Sequence, residues 1–98
     1  MTLTEPQNKY LRGLGHHLKP VVVVGDSGLS EGVVKEFNST INHHELIKVR
    51  VRAGDRDSRD EIITKLCDSN TTLVTRIGNV ALIYRPNIDK PRINLPRR

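Results

Sequence analysis

Pro20-Val21-Val22-Val23-Val24-Gly25-Asp26-Ser27-Gly28-Leu29-Ser30-Glu31 is the stretch that decides the fold. Four consecutive valines are β-branched and apolar, and they read as a short strand covered on both faces. The loop after them has glycine at each end, which allows a sharp turn and leaves no Cβ in the way of a close ligand. Ser30 is a good helix N-cap, and Leu29 and Val34 are spaced to meet as a hydrophobic staple. Strand, glycine loop and helix start together put backbone N–H groups at the positive end of a helix dipole, where a phosphate can sit. Gly25, Asp26, Ser27 and Gly28 are therefore candidates for a phosphate-backbone clamp, the use that GXXG loops serve in RNA-binding domains. Two points weigh against them. A Gly-x-x-Gly turn between strand and helix is commoner as a plain connection, and the Asp26 carboxylate repels phosphate.

Upstream of this stretch, Thr4 caps a helix over about 5–16, with Gln7 three residues on completing a capping box. Tyr10, Leu11, Leu14 and Leu18 recur at helical spacing. Gly13 and Gly15 weaken that helix by about 1 kcal/mol for an interior glycine relative to alanine. They mark either a close approach or a frayed end. Downstream, a second helix over about 31–43 carries Val33, Val34, Phe37 and Ile41 as its buried stripe.

From Ile47 to Arg52 the alternation is strict and predicts a strand with one buried face. Ile47, Val49 and Val51 point one way, and Lys48, Arg50 and Arg52 the other. Cations spaced about 7 Å apart along a strand come close to the phosphate spacing of an extended nucleic-acid chain. The plainer alternative is an exposed strand made soluble by charge, although such a face usually mixes signs. Gly54 to Ser58 turns the chain, and Ser58 with Glu61 is placed to cap a third helix whose apolar stripe is Ile62, Ile63, Leu66 and Cys67. Thr71 to Arg85 reads as a hairpin around Gly78-Asn79. A two-residue turn pairs Ile77 with Val80, Thr75 with Leu82 and Leu73 with Tyr84 on one face. The other face carries Arg76–Ala81, Val74–Ile83 and Thr72–Arg85. If the first set faces the helices, Arg76 and Arg85 join Lys48, Arg50 and Arg52 on the open face; a one-residue register change inverts this. From Pro86 on, Lys90, Arg92, Arg97 and Arg98 stand against Asp89 alone, in a tail expected to be extended.

The 98 residues suffice for one domain with an aliphatic core, since 36% are hydrophobic and only one is Phe. Sixteen Lys and Arg against 11 Asp and Glu give a net charge of +5, which favours a polyanionic partner without naming it. No apolar run is long enough to span a membrane. The opening Met1–Glu5 lacks a secretory pattern, and the lone Cys67 forms no internal disulfide, so a cytoplasmic protein is the expectation.

Chemistry-bearing motifs are scarce. There is no Gly-x-x-x-x-Gly-Lys-Ser/Thr loop for nucleotide hydrolysis and no Gly-x-Ser-x-Gly turn for a serine nucleophile. His16-His17 and His43-His44 fall near helix ends, where the dipole favours them, and helical neighbours about 100° apart make poor chelates. The reading is of a non-enzyme with no metal and no cofactor.

Several segments in order resemble a known family: Leu-Lys-Pro (18–20), the valine strand, Gly-Asp-Ser-Gly-Leu-Ser-Glu-Gly-Val (25–33), His-His-Glu-Leu-Ile-Lys-Val (43–49), Leu-Ile-Tyr-Arg-Pro (82–86) and the closing Leu95-Pro96-Arg97. On these the chain resembles the bacterial YhbY family, stand-alone versions of the CRM domain of RNA splicing and ribosome maturation. The resemblance covers almost the whole chain. It implies one compact α/β domain over 1–98, ordered α-β-α-β-α-β-β, with helices packed on a four-stranded mixed sheet. Such a fold is similar to the C-terminal domain of initiation factor three and is KH-like. The resemblance also implies a role with precursors of the large ribosomal subunit, and the family's conserved loop maps onto Gly25–Gly28.

The expected function is thus RNA binding on large-subunit ribosomal RNA precursors, without membrane or small-molecule partners. The expected site is Gly25, Asp26, Ser27 and Gly28, flanked by Lys19 and by Lys48, Arg50, Arg52, Arg76 and Arg85, with Lys9 and Arg12 as weaker candidates. Phe37, Tyr10 and Tyr84 all fall at expected core positions, so recognition is expected to rest on RNA shape and backbone rather than base stacking. The rival reading is a protein-interaction module docking on ribosomal proteins or assembly factors, in which Gly25–Gly28 is only a turn.

Overall fold

A computed structural model describes residues 2–52, 54–68 and 70–97. Its elements run α1 (Glu5–Gly15), β1 (Pro20–Val24), α2 (Glu31–His44), β2 (Leu46–Val51), α3 (Arg56–Leu66), β3 (Thr72–Ile77) and β4 (Val80–Tyr84). Each helix starts where a short polar side chain takes up an orphan N–H. The Thr4 hydroxyl accepts from the Gln7 N–H at 3.3 Å while the Thr4 N–H donates to Gln7 Oε1 at 3.0 Å, closing the capping box. Ser30 Oγ accepts from the Val33 N–H at 3.2 Å. At α3 the cap is Asp55, whose carboxylate accepts from the Ser58 N–H at 2.7 Å; Ser58, expected as the cap, already lies inside the helix. A carboxylate also gains more than a hydroxyl from the positive helix end.

The four strands form one mixed sheet in the order β1-β2-β4-β3, with β1 parallel to β2 and the other neighbours antiparallel. α2 and α3 cover one face, where Phe37, Ile41, Ile63 and Leu66 meet Val22, Val24, Ile47, Val49, Val51, Ala81 and Ile83. On the other face, Leu3 and Leu11 close over Leu46, Leu82 and Tyr84, with Val74, Ile93 and Leu95 beside them. This second cover is partial, and half of that face stays open.

Several expectations change for this reason. The valine strand is an edge strand whose open face is uncovered among the described residues, so Val21 and Val23 are about half exposed rather than buried on both sides. α1 rests on a narrow contact: Leu11 and Gly15 are buried, whereas Tyr10, Leu14 and Leu18 are exposed, against the expected broad stripe. Gly15 marks a close approach, because a Cβ there would lie 2.6 Å from Leu82 Cδ2. Val34 is likewise exposed, and α2 is buried through Phe37 and Ile41.

The hairpin register is as expected beside the turn, where Ile77 meets Val80, Arg76 meets Ala81 and Thr75 meets Leu82. A bulge between Leu73 and Thr75 then shifts it, so Leu73 faces Ile83 and Thr72 faces Tyr84. The extra residue, Val74, packs into the α1 cluster.

Beyond Tyr84 the described residues form no helix or strand, and the tail is docked. Glu45, with φ 65 at the end of α2, is 1% exposed and turns its carboxylate toward it. That carboxylate accepts from the Asn87 N–H at 2.7 Å, the Ile93 N–H at 2.8 Å and the Arg92 N–H. Gln7 Nε2 adds a bond to the Pro96 carbonyl at 3.0 Å. Arg98 lies outside the described residues.

Candidate nucleic-acid interface

The glycine loop is a tight turn. The Gly28 N–H donates to the Gly25 carbonyl at 3.0 Å, and the Ser30 N–H donates to the Gly28 carbonyl at 3.0 Å. Gly28 sits at φ 71, a conformation that an L side chain adopts only at a cost of about 1–2 kcal/mol. Gly25 has neither a positive φ nor any atom within 4 Å of an added Cβ, so no packing contact requires it. Asp26 and Ser27 form the exposed tip. Among the described residues, the N–H groups of Asp26, Ser27 and Leu29 meet no protein acceptor.

Because β1 and β2 are parallel, their C-terminal ends lie at the same end of the sheet, and the β3–β4 turn joins them. Arg52 N donates to the Val24 carbonyl at 2.7 Å, and Val51 N donates to the Asn79 carbonyl at 2.7 Å. The first turns of α3 stand at this end too. On one side, Ser58, Glu61, Ile62 and Lys65 of α3 face the loop residues Asp26–Leu29 across a groove of about 320 Å³. On the other, Arg56, Arg59 and Arg76 surround a concavity of about 520 Å³ closed by Gly78 and Asn79. Three chain segments distant in sequence therefore bring N–H donors and guanidinium groups to one end of the molecule. The loop groove also carries the carboxylates of Asp26 and Glu61, so the arginine side is the more favourable one for an anion.

The expected basic residues do not all come together. Arg52, one residue past β2, is exposed beside the loop end. Lys48 and Arg50 project from the open face, with Lys19 at its margin. Arg76 and Arg85 are not on that face, and here the expectation is corrected. Arg76 pairs with Ala81, which is buried under the helices, so it shares the α2/α3 side and forms an ion pair with Asp60. The Arg76 hydrogen bond holds the Asp60 carboxyl below the usual carboxylate range. Arg85 is a structural residue: its guanidinium donates to Thr71 Oγ1 at 2.7 Å and to Asn38 Oδ1 at 3.1 Å. It also lies 5.6 Å from the centroid of the Phe37 ring. Lys9 and Arg12 sit on α1, where Arg12 pairs with Glu5 at 3.1 Å. Tyr10 is exposed, contrary to the core position expected of it, while Phe37 and Tyr84 are buried.

Arg56 and Arg59, which line this concavity, are candidates that the sequence reading missed. Asp55-Arg56-Asp57-Ser58-Arg59-Asp60 looks charge-balanced as a string. The helical spacing of Arg56 and Arg59, three apart, was the available signal, since it puts both on one face. Each histidine pair packs edge to face, with ring centroids 5.2 Å apart for His16–His17 and 4.7 Å for His43–His44. Among the described residues no three His, Cys, Asp or Glu side chains gather as a metal site, and no helix is long and apolar enough to cross a membrane.

An α/β domain that collects a glycine loop and arginines at one end of a four-stranded sheet is, as a class, a small basic binding domain. Residues 3–85 match the CRS1 / YhbY (CRM) domain, and the chain belongs to that family. It is 47% identical over 96 residues to a Pseudomonas aeruginosa protein named as a probable RNA-binding protein, covering 97% of this chain and 91% of that one. A Haemophilus influenzae protein named as an RNA-binding protein is 43% identical over 98 residues, covering 99% of this chain and 98% of the other. The solution structure of a Staphylococcus aureus protein superposes with a TM-score of 0.79 at 34% identity, covering 97% of this chain and all of that one.

Proposed function

We propose that the protein binds RNA, that its target is a precursor of large-subunit ribosomal RNA, and that it acts in ribosome assembly as a binding protein rather than an enzyme. RNA binding is the function named for its relatives. The observation that carries the mode of binding is the convergence, at one end of the sheet, of the Gly25–Gly28 loop with Arg52, Arg56, Arg59 and Arg76. Backbone N–H groups and guanidinium groups are what an RNA backbone requires of a protein. Lys19, Lys48 and Arg50 add positive field from the adjoining face. A nucleophilic role for Cys67 is disfavoured, because burial pushes its thiol up to about 11 and keeps it protonated near neutrality. The ribosomal target comes from the family resemblance, and a cytoplasmic setting is proposed alongside it.

Crosslinking in growing cells, followed by sequencing of the attached RNA, tests this reading. Reads concentrated on one region of large-subunit ribosomal RNA are expected, with strong loss in a folded Arg52→Ala/Arg56→Ala variant. Reads spread over unrelated transcripts would remove the ribosomal assignment, and an empty RNA profile would remove RNA binding itself.

A further inference from the structure

The open half of the sheet lends RNA binding the field of its cations, but it also carries an apolar pattern that RNA binding does not use. Strand register places Val23, Arg50, Val80 and Ile77 in one row across all four strands. The next row is Pro20, Lys48, Leu82 and Thr75. With Leu18 and Lys19, most of these residues line a groove of about 270 Å³. Ile77 is 78% exposed and Val23 48%, and among the described residues no helix or tail segment covers this half. Each row thus sets a cation between apolar neighbours.

We infer that this face is a docking surface for an acidic, apolar segment of a partner protein, distinct from the RNA-gripping end of the sheet. Charge and chemistry identify the occupant together. Lys19, Lys48 and Arg50 ask for carboxylates, and Leu18, Pro20, Val80 and Ile77 ask for aliphatic side chains. A nucleobase fits less well. Its polar edge needs several hydrogen-bond partners, and among the described residues Thr75 is the one uncharged polar side chain that lines the groove. Among the described residues no aromatic ring lines the groove to stack on a base. A second copy of this chain meeting face to face would set Lys48 and Arg50 against their own equivalents, a like-charge contact that opposes a symmetric dimer.

The test is a benzophenone side chain placed at Ile77, and separately at Val23, in the full chain, irradiated in growing cells. These positions lie on the two edge strands, about 14 Å apart across three strand spacings, so one docked segment reaches both. The expected result is one protein captured from both positions, its crosslinked peptide carrying aliphatic residues beside Asp or Glu. Lys48→Glu/Arg50→Glu should lower the yield about tenfold, as expected when two exposed charge contacts are reversed. Capture of RNA alone, capture of this chain itself, different proteins at the two positions, or no product would each overturn the inference. Ile77→Ser should leave RNA affinity within about twofold. A larger loss would make the face part of the RNA site and also overturn it.

Discussion

Gly13 and Gly15 lie two residues apart on one helix, and the structure separates their roles. A Cβ at Gly15 would meet the buried Leu82 at 2.6 Å, whereas nothing lies within 4 Å of one at Gly13. Gly15→Ala is expected to destabilise the domain by about 1–3 kcal/mol through overpacking. Gly13→Ala is expected to stabilise it by about 0.5–1 kcal/mol, through helix propensity and a less flexible unfolded chain. Urea unfolding of the two variants checks both signs, and a stabilised Gly15→Ala would mean that α1 does not pack as described. Cys67 gives a second residue-scale expectation. Burial first, and the Asp68 carboxylate second, raise its pKa from 9.0 to about 11. A raised folded-state value favours the protonated thiol, so the stability tied to it is full below pH 9.0 and declines as pH rises through about 11. Alkylation by iodoacetamide should therefore be slow at pH 8 and climb with a midpoint near 11; a midpoint at the ordinary thiol value would contradict the burial. At this scale the sequence was readable where one side chain acts on its neighbours, as at Thr4, Gln7 and Ser30. It was unreadable where the deciding atom is distant, as for Gly15 under Leu82.

All seven elements were legible from periodicity and caps, because apolar spacing and N-cap chemistry are local. Faces were harder, since a face depends on register. One extra residue, Val74, shifts the far end of the β3–β4 pairing, and Arg76 belongs with the helices because Ala81 opposite it does. Alternation alone assigns two faces to a strand without saying which one a helix covers. Tail docking was also invisible, because Glu45 reads as a polar residue before a strand and only the fold brings Asn87, Arg92 and Ile93 to it. Glu45→Ala should strand those three part-buried donors and cost about 1–3 kcal/mol. It should also open the chain to trypsin after Arg92. Limited proteolysis with mass spectrometry measures this, and unchanged resistance at that bond would show that the tail is held without the carboxylate.

For the whole molecule, the net charge of +5 pointed to an anionic partner, but only the assembled sheet gathers arginines at one end. Counterion release gives that arrangement a measurable signature. On a ribosomal RNA fragment, removing Arg52 or Arg56 should reduce the slope of log affinity against log salt by about 1 each. Arg85→Ala should leave the slope unchanged and lower stability instead, since its guanidinium is spent on Thr71 and Asn38. A slope indifferent to Arg52 and Arg56 would move the contact elsewhere. The family and the loop were readable because they sit in contiguous strings, whereas the arginine concavity was not, being assembled from α3 and the hairpin. The Glu45 clasp, finally, has a consequence in time. As the chain is synthesised, this carboxylate emerges 42 residues before the first N–H that satisfies it and 48 before the last. Until those residues leave the ribosome, burying Glu45 would desolvate an uncompensated charge. The start of β2 must therefore stay wet, and the domain closes late in its own translation.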